Sequence, residues 1–268
     1  MCYTFQVEFE YKKSLGQNFI YDMNYLRALV KKLNVQPTDV VVEVGTGMGT
    51  LTQALAETGC QVYALEVDKR LQPHLEQRLQ AFANVHLTFA DALKYDFSQL
   101  PKFRLIANVP YYITTPLIMQ FLSLPNCLEV NVLIADEVAK RIVEAPGSAL
   151  YGALSVSCQL QADCKILQFV PRTLFTPQPK VDSAFVCLKK NGQPYDSSLN
   201  TLLKGIFAGR RKTILNTLSR VLNVEKTVCE QILQAAGVDV GLRAEQIAPT
   251  KYAEICAISH KYHAINLL

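Results

Sequence analysis

Short apolar runs alternate with helix-like segments through the first two thirds of the chain. Seven such runs predict strands, at residues 40–44, 62–68, 85–91, 103–108, 128–135, 165–170 and 183–188. Between the first five and just after the fifth, helices are predicted at residues 50–58, 69–82, 115–122 and 137–144. This alternation predicts an α/β fold with a mostly parallel sheet covered on both faces. The proline-rich join 175–180 favours an antiparallel hairpin of the last two strands at the sheet edge.

The pattern changes after residue 190. Segment 191–194 (Asn-Gly-Gln-Pro) consists of turn-forming residues. Beyond it the chain predicts only helices, at residues 198–221, 225–236 and 249–260. We therefore expect two domains, an α/β domain over residues 1–190 and a small helical domain over residues 191–268.

Composition bounds the class of protein. The 268 residues are 50% hydrophobic and 19% charged, which is typical of a globular chain. No apolar stretch approaches the ~20 residues of a transmembrane helix, and the N-terminus lacks a secretory pattern, so we expect a cytoplasmic location and no membrane partner. The eight cysteines form no Cys-x-x-Cys pair, and no histidine pair stands at ligand spacing. We therefore expect core thiols and no metal site.

A glycine turn follows the first strand of the alternation. Gly45, Gly47 and Gly49 let the backbone turn tightly and lie close to a ligand. Glu66 and Asp91 end the next two strands, where one carboxylate suits ribose hydroxyls and the other an adenine amino group. The spacing is G-x-G-x-G and no second nucleotide site is evident, so an adenosyl cofactor is favoured over a nicotinamide one, which stays possible on the glycines alone. Asp91 could equally cap the segment that follows it.

A second group of residues ends the fourth strand. The Asn108 side chain and the Pro110 carbonyl offer two acceptors that suit an NH2 group on a flat ring, and Tyr111 could cover the ring face. Phe175, on a stiff proline loop, could form the opposite wall of a slot for a flipped base. The alternative interpretations are an ordinary turn at Asn108 and a loop-anchoring core aromatic at Phe175.

The net charge of +4 favours an anionic partner only where cations cluster. They cluster at Lys12, Lys13, Lys140, Arg141, Lys180, Arg210, Arg211 and Lys212. The last three fall within a predicted helix, where they would form a charged collar. A solvated helix surface is the common use of such a run, and contact with nucleic-acid phosphates is the functional one.

Taken together, these residues resemble the ribosomal RNA adenine dimethyltransferases, from Lys13 to about Ile258. The motifs that carry the resemblance are Leu15-Gly16-Gln17-Asn18-Phe19, Glu43-Val44-Gly45-Thr46-Gly47-Met48-Gly49, Glu66-Val67-Asp68, Ala90-Asp91-Ala92, Asn108-Val109-Pro110-Tyr111-Tyr112-Ile113, segment 175–183, Arg210-Arg211-Lys212-Thr213 and Arg243-Ala244-Glu245-Gln246. Each motif alone is weak, whereas the ordered set is highly specific.

The resemblance implies a Rossmann-like class I methyltransferase with a mostly parallel seven-stranded sheet and a small C-terminal all-helical domain. It implies S-adenosylmethionine as the cofactor and N6,N6-dimethylation of two adjacent adenosines in a hairpin loop near the 3′ end of small-subunit ribosomal RNA. The implied partner is the small ribosomal subunit during biogenesis, and the expected state is a monomer.

Residue roles follow from the same resemblance. The implied cofactor contacts are Gln17, Asn18, Gly45, Gly47, Glu66, Val67, Asp91, Ala92 and Asn108. Asn108 would touch both cofactor and target, with Pro110, Tyr111 and Phe175 completing the catalytic set; the two aromatic residues would stack on the target adenine.

Two departures and two alternatives accompany the resemblance. Val109 replaces the usual Leu or Ile, and Asp136 stands where the family more often has lysine, which puts a local phosphate contact in doubt. The related erythromycin-resistance methylases of 23S RNA share the catalytic half of the chain. A non-catalytic RNA-binding assembly factor on the same scaffold would predict loss of Glu66, Asp91 or Asn108, and all three are present.

Overall fold

The structure is a computed structural model that describes residues 11, 12 and 16–262; Lys13 and Leu15 lie outside the described residues. The strands in this part are β1 (Phe19–Ile20), β2 (Val40–Val44), β3 (Gln61–Glu66), β4 (Val85–Phe89), β5 (Phe103–Asn108), β6 (Cys127–Ala135), β7 (Ala162–Val170), β8 (Phe175–Thr176) and β9 (Ser183–Lys190). The α-helices are α1 (Met23–Lys32), α2 (Thr50–Ala56), α3 (Gln72–Leu79), α4 (Thr114–Ser123), α5 (Asp136–Val143), α6 (Ala153–Gln161), α7 (Ser198–Phe207), α8 (Ile214–Leu222), α9 (Lys226–Ala235) and α10 (Pro249–Lys261).

Seven strands form one sheet in the order β4-β3-β2-β5-β6-β9-β7. The first five of these are parallel to one another, and β9 runs antiparallel to both β6 and β7. The predicted mostly parallel, seven-stranded α/β sheet is therefore confirmed. The predicted antiparallel pair of late strands is also present, with β7 at the sheet edge.

The apolar strands are buried on both sides because successive side chains point to opposite faces. Val41 packs with α1 and α2 on one face, whereas Val42 and Val44 pack with α4 and α5 on the other. This two-sided burial explains why the strands read as continuous valine-rich runs rather than as alternating patterns.

A second core lies in the helical region. It is formed by α7 to α10 together with Tyr151 and Val156, whereas Cys158 of the same helix α6 belongs to the sheet core. Helix α6 thus joins the two cores, and the division of the chain into residues 1–190 and 191–268 stays a prediction. None of the helices that the structure describes is both long and apolar enough to cross a membrane.

The structure corrects one predicted helix. The segment predicted as a single helix over residues 198–221 is broken between Phe207 and Ile214. At this break Gly209 lies so close to α8 that an added Cβ would come within 2.6 Å of the Thr217 side chain. The chain therefore turns back there to pack α8 against α7, a tertiary contact that local helix propensity does not show.

A small two-stranded sheet was not predicted. In it β1 pairs antiparallel with β8, with Phe19 opposite Thr176 and Ile20 opposite Phe175. This pairing fixes the segment before α1 against the loop that precedes β9.

Candidate active site

A cavity of about 280 Å³ opens at the carboxyl ends of the parallel strands, the edge at which open α/β sheets bind ligands. Every residue predicted to be catalytic or to bind cofactor lines it. Its volume is close to the lower end of the range for small-molecule pockets. The predicted residues therefore come together from the N-terminal segment, the glycine turn and the ends of β3 and β5, and from the loops after β4, β5 and β7.

The glycine turn between β2 and α2 requires glycine at its centre. Gly47 has φ +53°, and an added Cβ would lie 2.6 Å from the Phe19 ring. The backbone N–H of Gly47 donates to Glu66 Oε2 over 2.8 Å. The conformation of the turn is thus fixed by the left-handed backbone at Gly47, the Phe19 ring packed against it and the hydrogen bond to the buried Glu66 carboxylate.

Glu66 is a buried organiser of this edge as well as a candidate ligand. Its Oε1 accepts hydrogen bonds from the backbone N–H groups of Val67 and Asp68, each over 2.9 Å. The Thr46 hydroxyl donates to Oε2 over a longer 3.3 Å. That weak bond is the one that a ribose hydroxyl could replace most easily.

Asp91 caps the loop that follows β4. Its Oδ1 accepts from the Leu93 N–H over 3.0 Å, and Lys94 Nζ lies 3.9 Å from its other oxygen. The capping interpretation therefore describes this residue, while its position on the cavity wall beside Ala92 leaves it available to a ligand.

The N-terminal segment lies across the cavity. Gln17 Nε2 donates to Asp68 Oδ2 over 2.9 Å. The carbonyl of Asn18 accepts from Asn108 Nδ2 over 3.2 Å. The latter bond uses one of the two amide hydrogens of Asn108 and orients the side chain, whose carboxamide oxygen is the acceptor that it can offer to a ligand.

The residues after Asn108 form a short helical turn. The Pro110 carbonyl accepts from the Ile113 N–H over 3.1 Å and from the Thr114 hydroxyl over 3.4 Å. A ligand amine would therefore share this oxygen with partners inside the turn. Asn108 is the freer of the two predicted acceptors.

Two aromatic side chains on the cavity wall are held rigidly. The Tyr111 hydroxyl shares a 2.8 Å hydrogen bond with Ser183 Oγ at the start of β9, and burial raises the pKa of Tyr111. Phe175 is buried and held by the pairing of β8 with Ile20. Tyr112, which carried no predicted role, also lines the cavity and is 62% exposed.

Glu43 is a site residue to which the sequence analysis gave no role. It lines the cavity beneath the glycine turn with 1% of its surface exposed, and no hydrogen bond of good geometry reaches either carboxylate oxygen. Burial, partly offset by the adjacent Thr52 hydroxyl and reinforced by the nearby Glu66 carboxylate, raises the pKa of Glu43 to about 8. The signal in the sequence was a single acid inside an otherwise apolar strand.

The predicted RNA-binding residues lie outside the cavity and differ in their surroundings. Lys140 and Arg141 pair along α5 with Asp136 and Glu137, and Lys140 Nζ also lies 5.8 Å from the Phe169 ring centroid. Asp136, the acid that departs from the family pattern, thus forms an ion pair with Lys140. Lys12 and Lys180 are exposed.

The Arg210-Arg211-Lys212 run is not on a helix, and the predicted helical collar is wrong. The three residues lie in the turn between α7 and α8. Arg210 Nη2 donates to the Ala149 carbonyl over 2.8 Å, and its Nε lies 3.6 Å from Glu245. Arg211 and Lys212 are exposed. Within this run, Arg210 therefore bonds to other parts of the chain, whereas Arg211 and Lys212 are surface cations.

Comparison with known proteins gives concordant matches over almost the whole chain. A family model described as ribosomal RNA adenine dimethylase matches residues 8–261. The ribosomal RNA small subunit methyltransferase A of Alkaliphilus metalliredigens (strain QYMF) is 40% identical over 262 residues, covering 92% of this chain and 91% of that protein. The protein of the same name from Shouchella clausii (strain KSM-K16) is 40% identical over 264 residues, covering 92% and 89%.

Solved structures share the fold. A dimethyladenosine transferase from Plasmodium falciparum superposes with a TM-score of 0.81 at 24% identity, covering 91% of this chain and 98% of that one. The 23S rRNA methyltransferase ErmE gives a TM-score of 0.70 at 24% identity, covering 90% and 99%. At these identities the two likenesses concern the fold alone.

Proposed function

The chain belongs to the ribosomal RNA adenine dimethylase family, and on that premise we propose that it transfers methyl groups from S-adenosylmethionine to N6 of adenosine in small-subunit ribosomal RNA. The observation that carries this proposal is the Asn108 carboxamide. It stands on the wall of the cavity that the glycine turn and Glu66 also line, and one of its amide hydrogens is bonded to the Asn18 carbonyl. An oriented amide oxygen beside an adenosyl site is what an amine nucleophile needs as an acceptor.

The proposed cofactor contacts lie on the wall of the same cavity. Glu66 would accept from the ribose hydroxyls, and Asp91 with Ala92 would border the adenine. Gly45 and Gly47 give the ligand room for close approach, while Gln17 and Asn18 cover it from the N-terminal side. The exposed Val67 side chain offers an apolar edge at the adenosine end. The location on the cavity wall supports each assignment.

The protein's part in the reaction is orientation. The bound S-adenosylmethionine supplies an electrophilic methyl sulfonium. Asn108 Oδ1 accepts one hydrogen of the adenine amino group, and the Pro110 carbonyl receives the other once the turn relaxes. These bonds favour a pyramidal nitrogen with an available lone pair, and alignment of the two reactants can contribute ~7–11 kcal/mol to lowering the barrier. No side-chain base is needed because the methylated ammonium releases its proton readily.

The aromatic walls select a flat ring. Tyr111 and Phe175 would hold the flipped adenine between them, and their fixed positions make the slot preorganised. After one transfer the nitrogen keeps one hydrogen, so Asn108 can orient it again for a second methyl group. Two adjacent adenosines in one hairpin loop are the substrate that we propose.

The RNA partner is proposed to lie along the exposed cations. Lys12, Lys180, Arg211 and Lys212 are free to meet phosphates, whereas Lys140 and Arg141 would first have to exchange their carboxylate partners. We propose that the chain acts as a monomer in the cytoplasm on a small subunit under assembly, with residues 191–268 as the RNA-binding domain.

The test is transfer of labelled methyl groups from S-adenosylmethionine to purified subunits that lack the modification. We expect N6,N6-dimethyladenosine in small-subunit RNA, identified by mass spectrometry of its nucleosides, and no label in large-subunit RNA. Label confined to large-subunit RNA would assign the chain to the erythromycin-resistance type instead. The absence of label in either RNA, with S-adenosylmethionine bound, would assign it to non-catalytic assembly.

A further inference from the structure

Three side chains of metal-ligand type meet in the helical region, away from the cavity. Asp196 stands just before α7, while Cys256 and His260 lie four residues apart on one face of α10. Cys256 Sγ is 3.7 Å from Asp196 Oδ2 and 4.0 Å from His260 Nε2. Asp196 Oδ2 and His260 Nε2 are 2.7 Å apart. None of the three residues lines the cavity.

The same three residues share a hydrogen-bonded cluster with Ser198. The Ser198 hydroxyl donates to Asp196 Oδ1 over 2.7 Å, and the Cys256 thiol donates to Asp196 Oδ2. The hydroxyl also lies 3.1 Å from His260 Nε2 and 3.4 Å from Cys256 Sγ. A carboxylate, a hydroxyl, a thiol and an imidazole nitrogen are therefore gathered within bonding reach of one small cation, which would take the place of the protons that they now share.

The separations allow a transition-metal site after one adjustment. The Cys256 sulfur lies 3.7 and 4.0 Å from the other two ligand atoms, close to the roughly 3.6 Å between sulfur and a nitrogen or oxygen ligand on a tetrahedral zinc ion. The 2.7 Å pair of Asp196 and His260 is a hydrogen bond, and it would have to open to about 3.3 Å to admit the ion. The combination of sulfur, imidazole and carboxylate suits Zn²⁺ and disfavours Mg²⁺ and Ca²⁺, which prefer oxygen alone.

We propose that Asp196, Cys256 and His260 bind one Zn²⁺ ion, with the Ser198 hydroxyl or a water molecule as the fourth ligand. The ion would link the segment between β9 and α7, which carries Asp196, to helix α10, which carries Cys256 and His260. Because the ligands are brought together by folding, binding would stabilise the helical region. The inference does not depend on the proposed methyl transfer.

The experiment uses the full chain without an affinity tag, stripped of metal under reducing conditions and then dialysed against zinc sulfate. Bound zinc is measured by elemental analysis, and its affinity by competition with a chromophoric chelator. Cobalt(II) chloride provides a second readout, since a cysteine ligand gives a thiolate-to-cobalt charge-transfer band. The variants are His260→Ala and Asp196→Asn, whose side chains are partly exposed, and Cys256→Ser. Matched controls are His86→Ala and Cys164→Ser, which remove the same residue types from the sheet.

We expect one zinc ion per wild-type and control chain and a melting temperature that rises with zinc. His260→Ala and Asp196→Asn should weaken binding by roughly tenfold or more, and Cys256→Ser should abolish the charge-transfer band. Because Cys256 is 2% exposed, a poorly folded Cys256→Ser variant leaves the decision to the other two. Absence of zinc from the wild type, or equal binding in the wild type and His260→Ala, would overturn the proposal. So would loss of binding in a control variant alone.

Discussion

Replacement of Glu43 by glutamine is expected to remove a pH dependence of folding that arises from one buried carboxyl group. Burial, partly offset by the Thr52 hydroxyl and reinforced by the nearby Glu66, raises the pKa of Glu43 from 4.5 to about 8. Between these two pH values the folded protein keeps a proton that the unfolded chain has released. The contribution of Glu43 to the free energy of unfolding is therefore highest below pH 4.5, falls as the pH rises, and levels off above pH 8.

The size of this effect follows from the width of the window. Each pH unit within it is worth about 1.4 kcal/mol, so the whole window amounts to about 5 kcal/mol at most. Water that enters the cavity would solvate the charged form, and we expect about 3 kcal/mol to be measured. Even that value is a large share of the stability of a typical domain.

Urea unfolding of the wild type and Glu43→Gln at pH 5 and at pH 9 measures this difference. Glutamine keeps the shape of the side chain without a titrating group, so its fixed effects on packing are the same at both pH values and cancel. Glu76→Gln, at an exposed position on α3, controls for the loss of one negative charge. If the wild type and Glu43→Gln lose the same free energy between pH 5 and pH 9, the assignment of a raised pKa to Glu43 is wrong.

Four further substitutions test the site and the surface. Asn108→Ala should reduce methyl transfer by roughly a hundredfold or more, even at saturating S-adenosylmethionine, so that the loss exceeds any weakening of cofactor binding caused by the missing bond to Asn18; near-normal turnover would exclude its role as acceptor. Gly47→Ala should weaken S-adenosylmethionine binding and lower stability by about 1–3 kcal/mol, because the Cβ meets the Phe19 ring at a positive φ; unchanged calorimetric affinity and melting would contradict this. Lys212→Ala should weaken RNA binding and its salt dependence without loss of stability, whereas Arg210→Ala should lower stability by about 1–2 kcal/mol. Filter binding at several salt concentrations measures RNA affinity, and urea unfolding measures stability. If Lys212→Ala and Arg210→Ala change both quantities equally, the assignment of Arg210 to a structural role and Lys212 to RNA contact is wrong.

The sheet and its ligand-binding edge could be predicted because their signals are local. A strand buried on both faces needs consecutive apolar residues, as in β2, and the turn at Gly47 needs a residue that tolerates positive φ. Parallel strands deliver their carboxyl ends to one edge, so the order of Glu66, Asp91 and Asn108 along the chain was enough to place them together.

What escaped prediction depends on contacts between distant residues. The break before α8 arises because glycines on α7 and in the turn let α8 approach closely, with Val221 within 2.7 Å of a Cβ added at Gly205. The grouping of Asp196 with Cys256 and His260 joins residues far apart in the chain, and only the Cys256–His260 spacing is visible locally. The pKa of Glu43 depends on burial, which one acid in an apolar strand suggests but does not measure.

The segment from Gly16 to Ile20 links the two halves of the proposed reaction. Phe19 lies against Gly47 on the cofactor side, Asn18 holds the amide of Asn108, and Ile20 pairs with Phe175 on the target side. Gln17 adds a hydrogen bond to Asp68 at the end of the ribose-side turn. A displacement of this one segment would therefore disturb the glycine turn, the amine acceptor and the aromatic wall together. Because these contacts share a single backbone, we expect positioning of the proposed donor and of the proposed target base to depend on the same few residues, so that a ligand on one side would favour the arrangement required on the other.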